Sequence, residues 1–138
     1  MKLRILTASV CLLLCSGLAL AAPPASIPED DSQQRTLRSF KSFASSWMKK
    51  MERVETGNRA KPQIRPLASG NLFTYKGYAS DFDIEIKQTG YPVAPFVGIL
   101  RYSEQVFNCV DASATRCRVV STIPVTEIFR FQDGRWIY

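Results

Sequence analysis

The stretch CRVVSTIPVTEIFRFQDGRWIY, residues 117–138, carries the reading from which the fold follows. Cys117 to Phe131 reads as one strand. Asp133-Gly134 is a two-residue hairpin signal, because both central residues of that turn need positive φ. Arg135-Trp136-Ile137-Tyr138 then forms a short closing strand. Upstream, Phe96 to Cys109 has the composition of a second long strand. A disulfide between Cys109 and Cys117 would set the two side by side, since a pair of cysteines in an oxidising compartment reads as a bridge.

That bridge predicts a register. If Cys109 faces Cys117, then Phe107 faces Val119, Arg101 faces Val125, Ile99 faces Glu127 and Val97 faces Phe129. The Asp-Gly turn pairs Phe131 with Trp136 and Phe129 with Tyr138. One face then collects Val97, Ile99, Phe107, Val119, Ile123, Val125, Phe129, Phe131, Trp136 and Tyr138. The other face carries Phe96, Leu100, Tyr102, Val106, Val120, Ile128 and Ile137. Left uncovered, that second set would form an apolar patch suited to a protein partner or a homodimer.

Further towards the N-terminus, Asp81-Phe82-Asp83-Ile84-Glu85-Ile86-Lys87 alternates apolar and charged residues, as a strand with one wet face does. Leu72 to Ala79 reads as the start of the same strand, with Gly77 as a bulge or bend. Asn58 to Gly70, broken by Pro62 and Pro66, reads as a linker. Before it, Leu37, Phe40, Phe43, Ala44, Trp47, Met48, Met51 and Val54 recur at three- and four-residue spacing. They form the apolar stripe of a helix over residues 32–56, capped by Asp31 or Ser32 and ended by Gly57-Asn58. The expected fold is α+β, with one long N-terminal amphipathic helix packed on a curved antiparallel sheet of about four strands.

Met1 to Arg4 is basic, Ile5 to Leu20 is apolar, and Ala19-Leu20-Ala21 is a small-x-small site. These are the parts of a cleavable secretory signal over residues 1–21. Lipidation at Cys11 or Cys15 is the weaker reading, since Val10 and Leu14 precede them instead of small residues. Residues 22–31, with Pro23, Pro24 and Pro28, read as a flexible leader, and 32–138 as a single domain. The chain of 138 residues has 18 Lys and Arg against 12 Asp and Glu, net +6. Cleavage removes Lys2 and Arg4, leaving 16 against 12, or +4. That balance is too small for a nucleic-acid footprint. The localisation expected is periplasmic or secreted.

The run from Thr126 to Trp136, an aromatic strand followed by Asp-Gly and Trp, is similar to the closing hairpin of many NTF2-like domains. One helix followed by an antiparallel meander also resembles the cystatin-like superfold. Both superfolds host enzymes, ligand binders, inhibitors and scaffolds, so the resemblance implies a fold and leaves the function open.

In the disulfide register Arg101 and Glu127 share the core-side face, a polar pair suited to a ligand pocket walled by Trp47, Phe129 and Trp136. A structural ion pair is the competing reading. Lys49, Lys50, Arg53, Arg59, Lys61 and Arg65 crowd the helix end and linker, where they could touch an anionic envelope surface or simply be solvated. Asp81, Asp83 and Glu85 read as a solvated sheet face, because same-face neighbours stand about 6.5–7 Å apart and no loop gathers them around an ion. The chain has no histidine, which removes Ser-His-Asp and Cys-His catalysis. No cofactor or metal is implied. The reading that results is an exported binding domain working through its sheet surface on a protein partner or itself, with a small-ligand or enzymatic pocket between helix and sheet as the alternative.

Overall fold

The computed structural model describes residues 29–138, and the expected signal and leader lie outside the described residues, apart from the leader's last three positions. Helix α1 spans Glu29–Ala60. Six strands follow: β1 Gln63–Leu67, β2 Gly70–Tyr78, β3 Asp83–Gln88, β4 Phe96–Cys109, β5 Cys117–Gln132 and β6 Arg135–Ile137. The class is α+β, and the sheet is antiparallel throughout.

Several expectations are corrected. The helix lies mid-chain, after 28 residues, and is longer at both ends than residues 32–56. Asp31 and Ser32 sit inside it, where Asp31 pairs with Arg35 and the Ser32 carbonyl accepts from Thr36 Oγ1. Gly57 does not end it, because Asn58 is held from outside: its Nδ2 donates to the Lys76 carbonyl at 2.9 Å. Pro62 finally excludes helix.

The sheet has six strands instead of about four. Part of the expected linker forms β1, which pairs with β2 through Gln63↔Thr74 to Leu67↔Gly70. Pro66 is tolerated there because β1 is an edge strand. The β2–β3 run breaks at residues 79–82, not at Gly77. Both strands lie along the same side of β4, β2 against residues 104–109 and β3 against residues 96–101.

The disulfide joins Cys109 to Cys117 with Cα atoms 4.1 Å apart, as a close non-hydrogen-bonded pair requires. Phe107 faces Val119 as expected, but the next pair is Val106↔Ser121, leaving Val120 without a partner on β4. This bulge shifts every later pair by one residue. Arg101 therefore faces Thr126, Ile99 faces Ile128, and Gly98 faces Phe129. Phe96, Leu100 and Tyr102 turn inward to the core, and Val97 and Ile99 lie on the outer face.

Phe40 is the physical reason. A Cβ built on Gly98 would stand 2.3 Å from the Phe40 ring, so only a bare backbone fits beneath that ring. Phe40, Ala44, Leu100 and Phe129 are fully buried, with Met48, Phe96, Tyr102 and Trp136 closing the cluster. Each large apolar side chain sealed there contributes about 1.5–3 kcal/mol. The expected alignment of Phe131 with Trp136 is present, and Asp133 and Gly134 both have positive φ, at 50° and 73°.

The C-terminal part of α1 runs past the edge of β2 beyond β1. Tyr78 N–H donates to Glu55 Oε2 at 2.9 Å. With Asn58 on Lys76, two helix side chains three residues apart satisfy edge groups that a strand would otherwise pair. Arg59 Nε then donates to the Ala114 carbonyl at 3.1 Å, closing a second small core of Tyr75, Cys109 and Ala114 with Phe107 packed against it.

Candidate interaction site

β5 is the longest strand, and its first half after Cys117 is exposed throughout. Its seven residues from Arg118 to Pro124 are all exposed, although both neighbours of each lie in the same strand. β6 covers the outer side of β5 only at Arg130, Phe131 and Gln132. Between Arg118 and Phe129 no described strand pairs with that side.

Alternation decides which groups are open. Ala79 N–H donates to the Ser103 carbonyl at 2.9 Å, so odd residues of β4 in this stretch turn towards β2. Even residues of β4 and odd residues of β5 bond each other instead. The outward groups of β5 therefore belong to Thr122, Pro124, Thr126 and Ile128. Pro124, opposite Ser103, has no N–H to offer, so three amides and four carbonyls face outward over seven residues, about 24 Å at strand rise.

The surrounding side chains are apolar and cationic. Val119, Val120 and Ile123 are 43–45% exposed, and Ile128 is 58% exposed. Arg118, Arg130 and Arg135 are exposed. On the outer face Arg101 Nη2 meets Glu85 Oε2 at 2.8 Å, and Lys87 Nζ meets Glu85 Oε1 at 3.3 Å. The hydrogen bond from Arg101, then that from Lys87, hold the Glu85 carboxyl below its ordinary range.

Arg101 and Glu127, expected together, lie on opposite faces. Glu127 is on the helix side, where Tyr102 OH donates to Glu127 Oε1 at 3.3 Å. Burial, and then the neighbouring carboxylate, push the Tyr102 hydroxyl up to about 12. A hydrogen bond to Glu127 raises the Tyr138 hydroxyl as well. Trp47 stands edge-on to Phe129 at 5.0 Å and parallel to Tyr138 at 6.2 Å. Trp136 packs on Phe40 at 4.5 Å and its Nε1 donates to Ser39 Oγ. Glu127 thus meets the Tyr102 and Tyr138 hydroxyls, while Trp47, Phe129 and Trp136 belong to the packed apolar cluster and Arg101 lies on the other face.

A cleft of about 610 Å³ opens elsewhere, between α1 and the β2–β3 connection, with Met48, Tyr78 and Phe82 as its apolar floor. The six basic residues stand in several settings. Lys49 and Arg59 line this cleft, Lys50 Nζ sits 5.1 Å from the Trp47 ring centroid, and Lys61 borders a smaller hollow beside Asn58. Arg53 is exposed on the helix, and Arg65 is exposed on β1. Among the described residues, no three acidic or cysteine side chains cluster as metal ligands would, and no helix is long and apolar enough to cross a membrane.

Sequence reading missed the open edge, although Pro124 inside a strand-length run was its signal, since proline in a sheet is confined to edges and bulges. The disulfide is compatible with an oxidising, exported location. Comparison of the chain with protein-family models, curated proteins and solved structures gave no match.

Proposed function

We propose that this chain is an exported protein-interaction domain that works by accepting a strand along the open side of β5. It reaches the periplasm or the exterior through residues 1–21, and its helix-and-meander plan belongs with the cystatin-like and NTF2-like superfolds. The observation that carries the reading is the unpaired backbone from Thr122 to Ile128, flanked by exposed Val119, Val120, Ile123 and Ile128. An edge of this length is a template for another chain unless something blocks it. Main-chain hydrogen bonds then supply affinity, and alternate side chains supply specificity.

A ligand pocket between helix and sheet has less support beside Glu127 and Trp47. Phe40, Leu100 and Phe129 are fully buried, so Glu127 and Trp47 face packed side chains there.

The test is cross-linking from the edge. A photoactivatable residue replacing exposed Thr126 should capture a protein when the chain is expressed in its own envelope, whereas the same residue at Ser42, on the exposed side of α1, should not. Equal capture at both sites, or at neither, would remove the proposal.

A further inference from the structure

We infer that the strand accepted by β5 is acidic, and that it is not a second copy of this chain; this rests on the strand-addition reading above. The open segment from Thr122 to Ile128 is bracketed by cations. Arg118 stands at one end, and Arg130 and Arg135 stand at the other. None of the three forms an ion pair with a described residue, whereas Arg35, Lys76, Lys87, Arg101 and Arg116 all do.

Of the nearby carboxylates, Glu127 accepts from Tyr102 on the opposite face and Glu85 is held by Arg101 and Lys87, which leaves Asp133, in the β5–β6 turn, as a single acid beside Arg130 and Arg135. A strand laid along the edge therefore meets a backbone ladder with net positive charge at both ends. Opposite charges across neighbouring strands contribute favourably, and like charges oppose pairing.

A second β5 fits poorly by the same rule. An antiparallel copy centred on the open segment brings its own Arg118 to within two residues of Arg130. Both ends of the pair then repeat the same repulsion. A segment alternating carboxylate and apolar residues can lay its acids on the face that carries Arg130 and its apolar side chains on the face that carries Ile123 and Val125. The occupant is thus an extended acidic segment of a partner protein.

The test uses two capped eight-residue peptides, one alternating glutamate with valine and the other lysine with valine, each carrying a fluorophore. Anisotropy titrations of the purified chain should give at least about tenfold tighter binding of the glutamate peptide, the sum of two or three partly exposed charge pairs. High salt should shrink that ratio. The exposed-site double variant Arg118→Glu/Arg130→Glu, checked for an unchanged melting temperature, should reverse the preference. Equal binding of both peptides, or a preference that survives the double variant, would overturn the acidic partner while leaving strand addition standing. If neither peptide binds and the amides of Thr122, Thr126 and Ile128 do not shift, strand addition itself fails. A concentration-dependent dimer that protects those amides would make the occupant a second copy and overturn the inference.

Discussion

Pro124 lies opposite Ser103 in the β4–β5 ladder, with its imide nitrogen on the side of β5 that no described strand covers. The one residue that cannot donate thus occupies the middle of an otherwise open row of donors. Proline is a recurrent guard on edges that would otherwise pair indiscriminately. Here it limits the ladder without closing it, since Thr122, Thr126 and Ile128 still donate.

Pro124→Thr restores the missing donor and leaves the core untouched. The variant should bind the glutamate–valine peptide more tightly than the parent in the same anisotropy titration, with little change in melting temperature. Unchanged affinity would mean that the proline does not limit the ladder.

Gly98 is the tightest point of the core. An alanine methyl there would enter the Phe40 ring, and overpacking of this kind costs about 1–3 kcal/mol. Gly98→Ala should lower the denaturant midpoint accordingly. Phe40→Ala should cost about 3–5 kcal/mol. If the double variant is less destabilised than the two costs added together, the two sites are in contact as described.

The disulfide closes a short loop between residues eight apart. Restriction of the unfolded chain by so small a loop is worth about 2–3 kcal/mol. Chemical denaturation with and without reductant should differ by that amount, and Cys109→Ser/Cys117→Ser should match the reduced parent.

Two groups set opposite ends of the pH range. Tyr102 ionises at about 12 in the folded chain, against an ordinary value of 10.0. The unfolded chain therefore loses that proton first. Its contribution to stability is complete below pH 10.0 and disappears as pH rises through about 12. Tyr102→Phe should flatten the alkaline limb of the melting-temperature profile. Asp111 behaves in the opposite sense. Hydrogen bonds from Ser113 and from the Thr115 backbone hold it at about 2, against 3.8 ordinarily. Its contribution is present above pH 3.8 and is lost as pH falls through about 2, so Asp111→Asn should flatten the acid limb.

The helix stripe, the Asp-Gly turn and the cysteine pair were legible because each is a local pattern with a fixed geometric consequence. Phe129 and Trp136 follow from the turn and do face the helix. Arg101 was misplaced for a non-local reason: the extra residue at Val120 has no distinguishing chemistry in Val119-Val120-Ser121, and one bulge reverses a whole strand's faces. Gly98 held the missing information, since a glycine within a strand marks close approach of another group, here the Phe40 ring. β1 was hidden by Pro62 and Pro66, which argue against strand unless the strand is an edge. The placement of Phe129 and Trp136 depends on the turn, and that of Trp47 on the helix stripe, whereas the placement of Arg101 depends on the ladder beyond the bulge.

Backbone amide exchange along β5 reads the open edge residue by residue. In the free chain Thr122, Thr126 and Ile128 should exchange fast, while Ile123, Val125 and Glu127, bonded to β4, should be protected by orders of magnitude. Uniform protection from Thr122 to Ile128 in the monomer would mean that the edge is already covered, and strand addition there would be ruled out.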